Sequence, residues 1–164
     1  MMDKFLEFSS EITAFTKFDL LGTGQAQKYL NAVTDVVGQP ILEELLGAYD
    51  RLRTAKQPLR NDRLRREIFG DEKLGPIARN IIKLWYVGIW FELPRAWTQT
   101  FGALEKNVQF MVSASAYTEG LLWPAIGANP PGAKAPGYGS WAAPPQIPLV
   151  PVLPDDNRKE TTRL

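Results

Sequence analysis

The sequence predicts an all-α fold: a small helical domain over residues 1–123, a long extended Pro/Gly-rich arm over 124–154 and a flexible tail over 155–164. Three observations lead there. Up to Leu122 the apolar residues recur at helical spacing. Glycine and proline fall between those stripes, where helices stop and start. Nine of the thirteen prolines then lie between Pro124 and Pro154, and no helical period survives among them.

Taken in order, Phe5, Leu6, Phe8, Ile12, Phe15 and Phe18 form the stripe of a first amphipathic helix over 3–18. The LGTG stretch at 21–24 breaks it, and Thr23 is placed to cap the next helix. Ala26, Tyr29, Leu30, Val33 and Val37 give that second helix, from Gln25 to Val37, ended by Gly38. Pro40 suits the first turn of a third helix, running to about Arg53. Residues 54–74 carry six of the nineteen basic side chains, interleaved with Asp62, Glu67, Asp71 and Glu72. Opposite charges at this spacing predict a solvated helix over about 60–75, in preference to a basic patch for an acidic partner.

Pro76 opens the most distinctive stretch, GPIARNIIKLWYVGIWFELP, expected to be a helix closed by Pro94. Its apolar side chains between 81 and 91 fall on nearly every face, so it is either central in the core or shared with another chain. Residues 96–111 predict a further helix weakened by Gly102, and VSASAY (112–117) a short strand or extended connection. Trp85 and Tyr117 are expected in the core. Tyr138 and Trp141 are not, because a Gly/Pro ribbon builds no core of its own. Extended Pro-rich segments lose little entropy on docking, and aromatic anchors supply interface energy, so these two residues predict an arm that lies on a surface.

The chain contains no Cys and no His. It therefore offers no thiolate or imidazole ligand, no c-type haem attachment and no Ser–His or Cys–His pair. A net charge of +1 gives no electrostatic reason to expect nucleic acid. Gly22 and Gly24 form a G-x-G without a preceding strand or a third glycine, which reads as a turn. The paired carboxylates Glu43–Glu44, Asp71–Glu72 and Asp155–Asp156 sit in polar surface stretches, and sequence neighbours do not face each other. Ser113, Ser115 and Ser140 lack a nucleophile elbow, and only a Lys base remains formally open to them. The opening MMDKFLEFSSEITAFTKF has no basic region or unbroken apolar core, and Arg65-Arg66 lies mid-chain, so neither reads as an export signal. No catalytic, cofactor-binding or metal-binding set emerges.

IARNIIKLWYVGIW and ALEKNVQFMVSASAYTEGLLWPAIGANPPGAKAPGYGSWAAPP together resemble the small subunit of membrane-bound, FAD-containing sugar and polyol dehydrogenases. The type member belongs to D-sorbitol dehydrogenase, and the fructose and glucose dehydrogenase small subunits are more distant. The segment FSSEITAF fits the family's usual opening, with Ala14 where that pattern has Gly. The resemblance covers roughly residues 5–145 and is most specific in the second half. It implies a non-catalytic subunit that binds, stabilises and helps mature and export a large subunit. That large subunit carries FAD, and often an iron–sulfur cluster; a cytochrome subunit with haem c frequently passes electrons on to the membrane. It further implies a periplasmic, membrane-associated complex, although the family's twin-arginine signal is not present here. The expected partner contacts are Ile81, Trp85 and Trp90 on the central helix, Trp123, and the arm residues Pro130, Gly132, Lys134, Pro136, Gly137, Tyr138 and Trp141. Lys134 would meet an acidic patch or remain solvated. The alternatives are a stand-alone helical adaptor and an independent enzyme that uses carboxylates.

Overall fold

A computed structural model describes residues 1–54 and 59–134; Ala55–Pro58 and everything from Ala135 onward, including Pro136, Gly137, Tyr138 and Trp141, lie outside the described residues. The described chain is mostly helical, as its apolar periodicity predicts.

The first predicted helix is two. Helix α1 (Met2–Thr13) buries Phe5, Leu6 and Phe8, then stops at Ala14, whose φ of 62° is left-handed. Its amide still reaches the Ser10 carbonyl at 3.1 Å. Helix α2 (Lys17–Gly22) starts immediately with a reciprocal cap. The Asp19 amide donates to Thr16 Oγ1 at 3.2 Å and the Thr16 amide to Asp19 Oδ2 at 3.0 Å. Thr-x-x-Asp thus behaves like the Thr-x-x-Glu box, satisfying two amides that a helix start leaves without partners.

Helix α3 (Ala26–Val37), the glycine stop at Gly38 with φ 80°, and helix α4 (Gln39–Leu52) with Pro40 in its first turn all fall where the sequence puts them. Helix α5 (Leu59–Arg63) continues into a π-helical segment, Leu64–Phe69. The widened turn keeps Leu64 and Ile68 inward while Arg65, Arg66 and Glu67 stay in solvent. Arg63 Nε donates to Glu67 at 2.7 Å, and that hydrogen bond holds the Glu67 carboxyl below its usual range. The charged stretch is a solvated face, as expected.

Asp71 accepts from the amides of Lys73 and Leu74 at 2.8 and 2.7 Å and so opens helix α6 (Leu74–Val87). Trp85 is the hub of the core, stacking on Phe5 at 6.2 Å and meeting Tyr29 edge-on at 4.9 Å. Aromatic pairs in these geometries add about 0.5–1.5 kcal/mol beyond the area they bury. The helix does not run to Pro94. Gly88, at φ 72°, reverses the chain, and Ile89–Trp90 become β1, paired antiparallel with β2 (Phe110–Met111) in the register Ile89↔Met111, Trp90↔Phe110. The buried Asn80 side chain adds a substitute rung by accepting from the Phe91 amide at 3.2 Å and donating to its carbonyl at 2.9 Å.

Helix α7 (Arg95–Phe101) ends at Gly102, well short of the predicted 111. It pins Trp97 into the core, with Nε1 on the Lys73 carbonyl at 2.8 Å. Two short turns complete the described chain, α8 (Ala114–Thr118) and α9 (Leu122–Ala125). VSASAY holds no strand: Val112 and Ser113 connect β2 to α8, and Ala114–Tyr117 form most of that helical turn.

Candidate functional site

The C-terminal end of α6 presents the carbonyls that a helix cannot use internally. The segment 112–121 closes over them. The Val112 amide donates to the Gly88 carbonyl at 3.0 Å and the Leu121 amide to the Trp85 carbonyl at 2.9 Å. Ala116, fully buried, sits directly on Gly88, where an added Cβ would come within 2.5 Å of the Ala116 methyl. Gly120 lies as close to the Tyr86 carbonyl, 2.6 Å from where its own Cβ would stand. Two glycines thus allow the segment to press flat on the helix end.

That seating turns Tyr117 and Trp123 outward. Their rings meet edge-on at 5.2 Å, and Trp123 Nε1 donates to the Tyr117 carbonyl at 2.7 Å. Tyr117 is 39% exposed, which corrects its expected place in the core. The chain then turns at Gly127 and Gly132, both at positive φ, and buries Pro130 between them. Lys134 Nζ reaches back to Glu119 at 2.7 Å. Residues 124–134, the start of the expected arm, leave the end of α9, turn at Gly127 and Gly132 and are tied to α8's end by the Lys134–Glu119 pair.

The opposite wall comes from the other end of the chain. Phe15 packs edge-on to Tyr86 at 6.1 Å, and the Tyr86 hydroxyl donates to the Thr13 carbonyl at 3.0 Å, so α6 holds both walls. Desolvation raises the Tyr86 phenol above its usual range. Between the walls lies an open groove of ≈ 440 Å³, lined by Phe15, Phe18, Thr23, Leu121, Trp123 and Pro130, with Asp19, Glu119 and Lys134 at its polar edges. Phe18 is 84% exposed, and Leu21 of α2 and Ile126 beyond α9 are also exposed. Isolated exposed apolar side chains are ordinary, but an open groove lined largely by apolar side chains, the exposed Phe18 among them, is a usual form of docking surface.

Of the expected contact residues, Trp123, Pro130 and Lys134 line this groove and Gly132 supplies a turn beside it. The acidic group that meets Lys134 belongs to this chain. Ile81, Trp85 and Trp90 are each 0% exposed. A partner docking on this structure does not touch them, because Trp85 packs between α1 and α3 and Trp90 sits in β1, off the helix altogether. Sequence reasoning missed Phe15, Phe18 and Tyr117. The Thr16-x-x-Asp19 box was the available signal, since it starts a new helix on which Phe18 no longer follows the α1 stripe.

Two polar clusters have more chemistry than packing alone requires. Ser115 Oγ accepts from Gln25 Nε2 at 3.0 Å and from Lys28 Nζ at 3.3 Å, while Ser113 Oγ donates to Gln25 Oε1 at 2.8 Å. The sequence left a Lys base formally open to these serines without naming one; Lys28 meets Ser115 here as a donor. The network ties the start of α3 to α8. On α1, Glu7 is bound by Arg53 and Lys17, and Glu11 by Arg60, which joins α1 to α4 and α5. Tyr49 lies among them, its phenol raised by burial and by the Glu11 charge. The carboxylates face guanidinium groups; they do not converge on a shared cleft in the manner of acid/base pairs. Among the described residues no three His, Cys, Asp or Glu side chains come together to hold a metal, and no helix is long and apolar enough to cross a membrane.

Comparison with family models, curated proteins and solved structures finds no significant match to this chain.

Proposed function

We propose that the chain is the non-catalytic small subunit of an FAD-dependent sugar or polyol dehydrogenase of the D-sorbitol type. It binds and stabilises the FAD-carrying large subunit and helps it mature and be exported, within a periplasmic, membrane-associated complex. FAD and any iron–sulfur cluster belong to the large subunit, and haem c to a cytochrome subunit. The observation that carries this reading is the open groove lined by the exposed Phe18, the half-buried Trp123 and the buried Pro130 at the root of the arm. Its Trp123–Pro130 wall lies within the part of the sequence where the resemblance is most specific. Aromatic anchors at the centre of such a patch supply most of an interface's energy.

Two further points support it. A chain without His or Cys has few means of holding redox cofactors by itself. Ala14, where the family's opening pattern has Gly, takes the left-handed φ of 62° that Gly adopts at least cost. The contact surface in this proposal comprises the groove rim and the arm through Trp141, and leaves out Ile81, Trp85 and Trp90.

Affinity-tagged chain expressed in its native host, without overproduction, should bring down a large flavoprotein with sugar or polyol dehydrogenase activity. Phe18→Ser with Trp123→Ser should reduce that recovery at least about tenfold, the loss expected from removing two aromatic anchors. Recovery of the tagged chain without any flavoprotein overturns the proposal. So does sugar oxidation by the purified chain alone with an added acceptor.

A further inference from the structure

We propose that a slot between α3 and the strand segment 106–112 binds a small amphiphilic monocarboxylate, its carboxylate on Lys28 and its apolar body along Ala32 and Phe110. The slot shares no lining residue with the Phe18–Trp123 groove, and the inference does not rest on the flavoprotein reading.

Both walls follow from spacing. Lys28, Asn31, Ala32 and Asp35 stand at i, i+3, i+4 and i+7, which is one face of a helix. Lys106, Val108, Phe110 and Val112 are every second residue of the segment that passes through β2, which is one face of an extended chain. Between the two faces lies an open space of ≈ 430 Å³, the size of an ordinary small-molecule site. Ala32 is buried and Phe110 and Val112 pack against the core, so the floor is fixed; Val108, 54% exposed, forms the lip.

A clasp closes each end. At one, Lys106 Nζ pairs with Asp35 at 2.6 Å and the Leu104 amide donates to the Val36 carbonyl at 2.9 Å. At the other, Ser113 Oγ donates to Gln25 at 2.8 Å and Lys28 Nζ to Ser115 Oγ at 3.3 Å. The seven helical residues from Lys28 to Asp35 advance about 10 Å, close to the length of a chain of about eight carbons.

The charges select the head group. Asp35 already neutralises Lys106, whereas Lys28 meets no carboxylate among the described residues. Two lysines and one aspartate leave the lining with one positive charge, which favours a monoanion and repels a cation. Asn31 Oδ1 accepts from Gln27 at 2.8 Å, which leaves the Asn31 amide N–H groups to donate one turn from Lys28. A second carboxylate on the ligand would compete with Asp35 for Lys106, so a plain apolar end fits the far clasp better.

The test titrates the full chain with sodium octanoate, followed by amide chemical shifts. Residues 106–112 and Lys28–Asp35 should shift together and saturate with a Kd of about 1 mM or tighter. Hexanoate, two methylenes shorter, should bind at least about threefold more weakly. Lys28 is exposed, so Lys28→Gln should leave the fold intact, weaken octanoate at least about fivefold and leave 1-octanol unaffected. Lys28→Arg should retain octanoate binding. Val108→Ser should weaken octanoate and octanol alike. No saturating shift at these residues up to about 10 mM octanoate overturns the proposal. Equal binding of octanoate and octanol by wild type overturns the carboxylate assignment, and shifts centred on Phe18 and Trp123 overturn the location. Shifts at 106–112 that follow protein concentration without ligand overturn it in favour of a second copy.

Discussion

The seating of residues 112–121 on the end of α6 can be tested at Gly88, whose φ of 72° and ψ of 11° are left-handed. Alanine there incurs the left-handed penalty of about 1–2 kcal/mol. Its Cβ would also approach the Ala116 Cβ at 2.5 Å and the Ala116 backbone carbon and oxygen at 2.9 Å, with Ala116 fully buried and unable to yield alone. Forcing a methyl into a packed site costs a further ~1–3 kcal/mol. Gly88→Ala should therefore lower stability by about 2–5 kcal/mol, against about 1–2 kcal/mol from backbone strain alone. Thermal unfolding followed by circular dichroism, alongside urea titration, measures the loss. Exchange protection at 117–130 should fall with it. A loss of no more than about 1–2 kcal/mol would refute the argument that contact with Ala116 seats this segment.

Ala14→Gly should stabilise the chain by about 0.5–1 kcal/mol, because the relief of a left-handed alanine exceeds the extra backbone entropy of glycine; a lower urea midpoint would count against it. Asn80→Ala should cost about 1–3 kcal/mol by stripping the Phe91 amide and carbonyl of their partners, and Phe91 should lose exchange protection selectively. Alkali should destabilise the fold. The phenols of Tyr29, Tyr49 and Tyr86 are all raised, chiefly by burial, so the folded state holds protons that the unfolded chain gives up. Their contribution is complete below the unfolded tyrosine pKa of about 10 and is lost as pH rises toward the folded values. Tyr29, whose hydroxyl finds no partner among the described residues, should dominate. Urea midpoints between about pH 9 and pH 11 should fall less steeply in Tyr29→Phe; parallel profiles would contradict the assignment.

Helices α3 and α4 were legible because everything local agrees: an apolar stripe, a stop at Gly38 and Pro40 in the next first turn. The break at Ala14 was not, since alanine is a good helix former and the cause lies two residues on, in the Thr16–Asp19 box. The β1–β2 pair escaped because two-residue strands carry no alternation. Their register depends on Gly88 turning the chain and on Asn80, neither of which a periodicity records. The same limit applies to the site. An all-apolar stretch read as shared with a partner is satisfied inside the fold by Phe5 and Tyr29. The surface that is left open forms where Phe18 and Trp123 meet across more of the chain than any local pattern spans.

The groove's two walls have a temporal consequence. One wall, Phe15–Thr23, is made early in synthesis, and the other, around 117–130, is made only after α1 to α7 have been synthesised. A chain interrupted after α6 has most of its buried aromatic hub and none of this surface. Since domains fold as their residues emerge, anything that reads the groove reads whether translation has passed its last turn. Such a surface exists only in chains whose synthesis has passed the groove's C-terminal wall.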